Sequence, residues 1–169
     1  MNELDHKLRV LFVCTQNKVR SLTAEHLYSV RPDLKVKSCG TANFAANQLT
    51  PELMQWAEII FVFDQSQVDA IDQRFDLKSL DKPVVNLGMA DIYKYKSDAL
   101  VLKLVARLDP YLGRPNASRC PRHAVRRLEK LMAAKKPAAP SDTVMDKFLS
   151  AVGVRRKRAL LVKSGGSNA

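Results

Sequence analysis

Four short apolar runs, each followed by a stretch of helical spacing, constrain this chain more than anything else in it. Residues 10–13, inside RVLFVC, form a continuous run of β-formers, the pattern of a strand buried on both faces. A helix is predicted from Ser21, which can cap it, with Ala24, Leu27 and Tyr28 on one face and Arg31-Pro32-Asp33 ending it. Residues 34–38 read as a second strand closed by Gly40, and 41–49 as a loop. Thr50-Pro51 opens a short helix through residue 57, with Thr50 as cap and Pro51 in its first turn. IIFVF at 59–63 is a third strand, 66–75 a polar helix with Val68, Ile71 and Phe75 inward, and 83–87 a fourth strand. After a loop at 88–96, residues 98–112 place Val101, Leu104, Val105, Leu108 and Leu112 at helical spacing, and Gly113 stops the helix. Such alternation predicts a three-layer α/β fold: a doubly wound sheet of four parallel strands with helices on both faces. Ligands of such sheets bind at the carboxyl ends of the strands, so the loops at 14–20, 40–49, 64–66 and 88–97 are the ones to search.

Charge divides the 169 residues in two. Residues 1–113 hold 14 basic and 14 acidic side chains, whereas 114–169 hold 14 basic and 3 acidic ones and so carry the entire net charge of +11. A uniformly basic nucleic-acid-binding domain is excluded; a neutral domain at 1–113 followed by a basic, helical or partly disordered C-terminal extension at 114–169 is expected. Within that extension 119–134 can form a basic helix, KKPAAP at 135–140 reads as a linker, and 141–152 as a second short helix. RRKR at 155–158 is a candidate contact for nucleic acid or an acidic protein, although a single aromatic, Phe148, gives no base-stacking platform. No apolar run is long enough for a membrane span, and MNELDHKLRV lacks a signal-peptide core. Cys14, Cys39 and Cys120 form no close pair, so neither a zinc site nor a disulfide scaffold is indicated, and a reduced cytoplasmic protein without a cofactor is expected.

The chemistry concentrates in CTQNKVRS, residues 14–21. Cys14 stands at the carboxyl end of the first strand, Arg20 follows six positions later, and a helix begins beside it. The backbone amides of Thr15, Gln16, Asn17, Lys18 and Val19 and the helix N-terminus then converge on one point, as an anion cradle requires. The Arg20 guanidinium adds a bidentate clamp for two phosphate oxygens. The same positive potential suits a thiolate nucleophile at Cys14. Ser21 can donate its hydroxyl to that sulfur, Asn17 can brace the loop through its amide, and Lys18 adds charge at the rim.

VLFVCTQNKVRS followed by LTAEHL resembles the signature of the low-molecular-weight protein tyrosine phosphatases, and is closer to their short bacterial relatives. SCGT at 38–41, TPELMQWAEIIFVFD at 50–64 and the strand–loop–helix at 83–112 extend the likeness over about residues 7–113. The resemblance implies attack of Cys14 on phosphorus, a phosphocysteine intermediate, and an aspartic acid that protonates the leaving oxygen and later activates water. The implied substrate is a phosphorylated protein or a small aryl phosphate. In the family the acid lies in the loop after the fourth strand, in a Pro-Asp-Pro-Tyr context. Asp109-Pro110-Tyr111 copies the letters but falls at the end of the last helix. Asp91 lies in the right loop with Tyr93 two positions on, so Asp91 is favoured, Asp109-Pro110 reads as a helix stop, and Asp98 is a third candidate. Gln16 replaces the family's usual glycine and calls for a strained or altered backbone. Val19 replaces a second cysteine, which removes the usual partner for a protective disulfide, and Leu22 replaces a proline.

Two rival readings stand beside the phosphatase. An arsenate reductase can share such a loop, but it needs resolving cysteines, and the region after the third strand has none. A non-catalytic module would hold a phosphorylated partner in the same cradle without turning it over. Of the remaining residues, Trp56 can line the entrance or pack in its helix, and Cys39 reads as a small buried side chain. His6, His26 and His123 lack metal-ligand spacing.

Overall fold

A computed structural model describes residues 6–116 of the chain. The basic segment beyond residue 116, with Cys120, His123, the linker and RRKR, therefore lies outside the described residues. The element order is β1 (Leu8–Cys14), α1 (Arg20–Tyr28), β2 (Leu34–Gly40), α2 (Pro51–Trp56), β3 (Ile59–Val62), α3 (Gln65–Phe75), β4 (Val84–Asn86) and α4 (Asp98–Leu112). All pairings are parallel and the sheet order is β2-β1-β3-β4, which is the doubly wound sheet the alternation predicts. No helix among the described residues is long and apolar enough to cross a membrane.

The period-2 geometry of the strands sorts their side chains into two cores. Val10, Phe12 and Cys14 of β1 and Ile59 and Phe61 of β3 pack with α1 and α4. Leu11, Val13, Ile60 and Val62 face the other way, toward Met54 of α2 and Ile71 of α3. Both sides are fully covered, which is why these strands read as unbroken apolar runs rather than alternating ones. The chain reverses its winding direction between β1 and β3, so the crevice at the carboxyl ends of those two strands is the topological switch point.

Three local expectations need correction. Ser21 is not the cap of α1: the helix starts at Arg20, Val19 occupies the cap position without a side-chain hydrogen bond, and Ser21 is fully buried in the first turn. The hydroxyl lies against Cys14 instead, because the loop folds the end of β1 back onto the first turn of the helix. Asp109-Pro110 does not stop α4, which runs through Pro110 to Leu112. Proline so near the end of a helix loses one backbone donor while the apolar face still holds the last turn to the core. Nor does Gln16 carry the unusual backbone; the left-handed residue of the loop is Asn17, at φ 54°. Asparagine tolerates that region because its short polar side chain bonds locally.

Candidate active site

β1 delivers Cys14 to the switch point, and the loop that follows folds back over the sulfur. The Asn17 amide donates to Cys14 Sγ at 3.2 Å, and Ser21 Oγ lies 3.0 Å from the same atom. Asn17 Nδ2 donates to both Ser21 Oγ, at 3.0 Å, and Ser38 Oγ, at 2.8 Å. Ser38 in turn donates to the Glu25 carboxylate. Proton counting orients the Asn17–Ser38–Glu25 part of this network. The two amide hydrogens of Asn17 go to the two serine oxygens, and Glu25 only accepts, so Ser38 spends its hydrogen there. Ser21 is left with its hydrogen free to point at the sulfur. The sulfur thus faces the Asn17 amide and the Ser21 hydroxyl.

Backbone bonds brace the loop from the opposite side. The carbonyls of Cys14, Thr15 and Gln16 accept from Thr41 N at 2.9 Å, Ala42 N at 3.0 Å and Ala46 N at 3.2 Å. With its carbonyls tied down, the loop turns amides the other way. Those of Gln16, Lys18 and Val19 donate to nothing among the described residues. Gly40, paired with Cys14 across β1 and β2, makes this approach possible. A Cβ there would lie 2.6 Å from Thr15 O and 2.6 Å from Ala45 Cβ. Gly40→Ala is therefore expected to destabilise the protein by about 1–3 kcal/mol through overpacking. It should also cut turnover by about tenfold or more as the loop shifts. Thermal melts and initial rates on one preparation check both effects.

Arg20, the first residue of α1, is 2% exposed despite its charge. Its Nη1 donates to Asp64 Oδ2 at 2.7 Å and to Met89 O at 2.8 Å, and its Nε meets Asp91 Oδ1 at 3.2 Å. The Phe63 ring lies 5.6 Å from the guanidinium carbon. The guanidinium is oriented by the turn after β3 and by the loop after β4 rather than by its own helix. Partial burial pushes the Asp64 carboxyl up, but hydrogen bonds from Ser66, Arg20 and Gln67 and the Arg20 charge outweigh it and hold it below the ordinary carboxylate value.

Asp91 is thus brought to Arg20, as its loop position leads one to expect, and its side chain remains 57% exposed. Asp109 lies at the far end of α4, and Asp98 opens that helix, half-buried. Lys18 is exposed at the rim, and Tyr93 packs half-buried against the α1–α4 core. Trp56 lies under Lys37 Nζ, 4.5 Å from the ring centroid. Cys39 is fully buried in the other core, and burial foremost, with the nearby Cys14 charge adding to it, pushes its thiol up to about 12. His6 pairs with Glu58 at 3.0 Å.

Sequence reasoning missed Asp64, Gln67 and Glu25. Gln67 is fully buried; its Oε1 accepts from the amides of Phe63 and Asp64, both at 2.9 Å. Its Nε2 donates to Thr15 Oγ1 at 3.1 Å and to Asp64 Oδ2 at 2.8 Å. One side chain thereby joins the α3 cap, the loop and the carboxylate that holds Arg20. The available signal was the capping box: Asp64 followed three residues later by Gln67, at the end of an apolar strand.

Fold and site together define the class: a doubly wound α/β domain with a thiol and a buried arginine closing one loop at the switch point. No protein-family model matches the chain, and no curated protein does. Among solved structures it is similar to the YwlE arginine phosphatase of Geobacillus stearothermophilus, at 24% identity and a TM-score of 0.43 over 75% of this chain and 94% of that one. It is also similar to Wzb of Vibrio vulnificus, solved in complex with benzylphosphonate, at 19% identity and a TM-score of 0.46 over 73% of this chain and 99% of that one. The tyrosine phosphatase AmsI of Erwinia amylovora has 24% identity and a TM-score of 0.43 over 54% of this chain and 80% of that one.

Proposed function

We propose that this chain is a phosphatase of the low-molecular-weight protein tyrosine phosphatase kind, hydrolysing phosphate monoesters such as phosphotyrosine through a phosphocysteine intermediate. The observation that carries the reading is the meeting of three groups in one crevice. Cys14 Sγ accepts a hydrogen bond from the loop, Arg20 is buried where that loop enters α1, and an exposed carboxyl, Asp91, lies 3.2 Å from the guanidinium.

In the proposed reaction the Cys14 thiolate attacks phosphorus in line with the ester bond. An S–P bond forms as the P–O bond breaks, and protonated Asp91 gives its proton to the departing oxygen. Water then attacks the phosphocysteine while Asp91 takes a proton from it, which releases inorganic phosphate and restores the thiolate. The equatorial oxygens gain charge in the transition state, where Arg20 and the loop amides stabilise it. Ser21 stabilises the sulfur as it leaves in the second step.

Asp91 and the substrate phosphoryl group compete for the same guanidinium, since Asp91 Oδ1 already pairs with Arg20 Nε. Asp91→Asn is therefore expected to act in two opposite directions. The kcat for 4-nitrophenyl phosphate, assayed without metal, falls by about 10²–10³ with loss of the general acid. Inorganic phosphate binds at least about threefold more tightly, because a competing charge is gone. Steady-state kinetics with phosphate as competitive inhibitor reads both. Phosphate binding without any turnover by the unaltered protein would assign the site to a binding module instead.

A further inference from the structure

The domain is neutral overall, yet its exposed charge is not evenly spread. Four loops form the rim of the crevice, at 15–19, 41–49, 64–66 and 88–97. Their only acidic residues are Asp64 and Asp91, and both pair with the buried Arg20. Their basic residues are Lys18, Lys94 and Lys96, all exposed, and none forms an ion pair among the described residues. Lys96 is docked beside the cradle: its amide donates to Thr23 Oγ1 at 3.2 Å, one turn into the helix that Arg20 opens. The next charge, Asp98, is half-buried at the start of α4. On α3 and the turn after it the balance is the reverse, with Asp69, Asp72, Asp76 and Asp81 exposed against Arg74 and Lys78.

Apolar exposure follows the same rim. Among the described residues the large exposed hydrophobic side chains are Phe44, Ile92 and Tyr95, 65%, 78% and 44% accessible. All three belong to the 41–49 and 88–97 loops, and Ile92 adjoins Asp91. A small phosphate ester would leave them in water, whereas a polypeptide segment running across the crevice covers them.

We propose that this collar selects phosphorylated polypeptide segments whose phosphorylated residue is flanked by aspartate or glutamate. The inference rests on the phosphatase reading and narrows its substrate. Carboxylates on either side of the phosphorylated residue meet Lys18 on one loop and Lys94 and Lys96 on the other, while apolar neighbours lie on Phe44 and Ile92. Like charges in the same positions are repelled, so the collar discriminates by sign.

The test uses the full chain and three phosphotyrosyl peptides of equal length, flanked by Glu, Gln or Lys, with 4-nitrophenyl phosphate as the small ester. At about 20 mM salt the Glu-flanked peptide is expected to show a kcat/KM about tenfold or more above the Lys-flanked one. The ratio should shrink toward unity at about 300 mM salt, where surface charges are screened. The Lys94→Gln/Lys96→Gln double variant should lose at least about half of that ratio on a logarithmic scale and hydrolyse the small ester at the unaltered rate. Equal kcat/KM for Glu- and Lys-flanked peptides would overturn the collar. So would a preference that survives in both the double variant and Lys18→Gln/Lys94→Gln/Lys96→Gln, which would place its source in residues 114–169. Failure to hydrolyse any of the four substrates would reject the phosphatase reading instead. In that case the Kd values of fluorescently labelled copies of the peptides carry the same comparison, and equal values would overturn the collar as well.

Discussion

Replacing Cys14 with serine is expected to lower kcat for 4-nitrophenyl phosphate by at least about 10⁴-fold, on the scale of losing a covalent nucleophile. A hydroxyl at that position has no base beside it: the Asn17 amide donates to the sulfur, the Ser21 hydroxyl against it is no base, and Asn17 spends both side-chain hydrogens on serine oxygens. The environment is built to receive negative charge and offers no acceptor for a proton from serine. Phosphate binding should persist, because Arg20 and the loop amides are untouched. Isothermal titration with phosphate or vanadate, beside the rate assay, separates the two roles. Turnover unchanged in Cys14→Ser would rule out the phosphocysteine route.

The second large effect is expected at Arg20. Arg20→Ala removes the clamp and should lower kcat/KM by about 10³-fold or more, beyond the loss of a single donor, because a charged fork is lost. Arg20→Lys keeps a charge but cannot reach Asp64, Asp91 and Met89 O together from a fixed plane, so it should rescue only a small part of the activity. The same variants report on stability. Asp64 is held below its ordinary value in the folded chain, with Arg20 among the causes. Its contribution is therefore fully present above the unfolded carboxylate pKa and lost as pH falls through the lowered folded value. The stability gap between unaltered protein and Arg20→Ala should be wide near pH 7 and narrow toward about pH 3. Urea titrations at the two pH values measure it, and a gap independent of pH would mean that Asp64 gains nothing from the arginine.

What the sequence made legible was local. The alternation of runs sets strands, helices and layers, because a strand buried on both faces has to be apolar throughout. Cys14, Asn17, Arg20 and Ser21 lie within eight residues and carry their relation in their spacing. Asp91 was reachable because the loop after β4 must return to the switch point. The partners that orient Arg20 were not legible. Asp64 and Gln67 lie 44 and 52 positions from the residues they hold, and only the parallel pairing of β1 with β3 brings them there. No pattern in the sequence expresses that register. Ser21 was placed rightly beside the sulfur, but its capping role was misjudged, because serine at the start of a helix satisfies the capping pattern wherever its hydroxyl points. Gly40 ends β2 as the sequence suggests, but its second role, clearance, is a property of two backbones that meet only in the folded chain.

The crossing of residues 40–46 over 14–17 bears on how such a site changes through time. Three amide–carbonyl bonds set the loop's path, and none of them involves a side chain. The mould is therefore indifferent to the lettering of what it shapes at positions 16 and 18, whereas Thr15 is held through its hydroxyl by Gln67. Gln16 sits in this loop without a left-handed backbone. Side chains facing outward from the loop are free to drift toward new selectivities, while the inward amides keep their aim. The shape of the cradle rests on Gly40 and the strand beneath it, so a change at Gly40 disturbs it more than a change of lettering at 16 or 18.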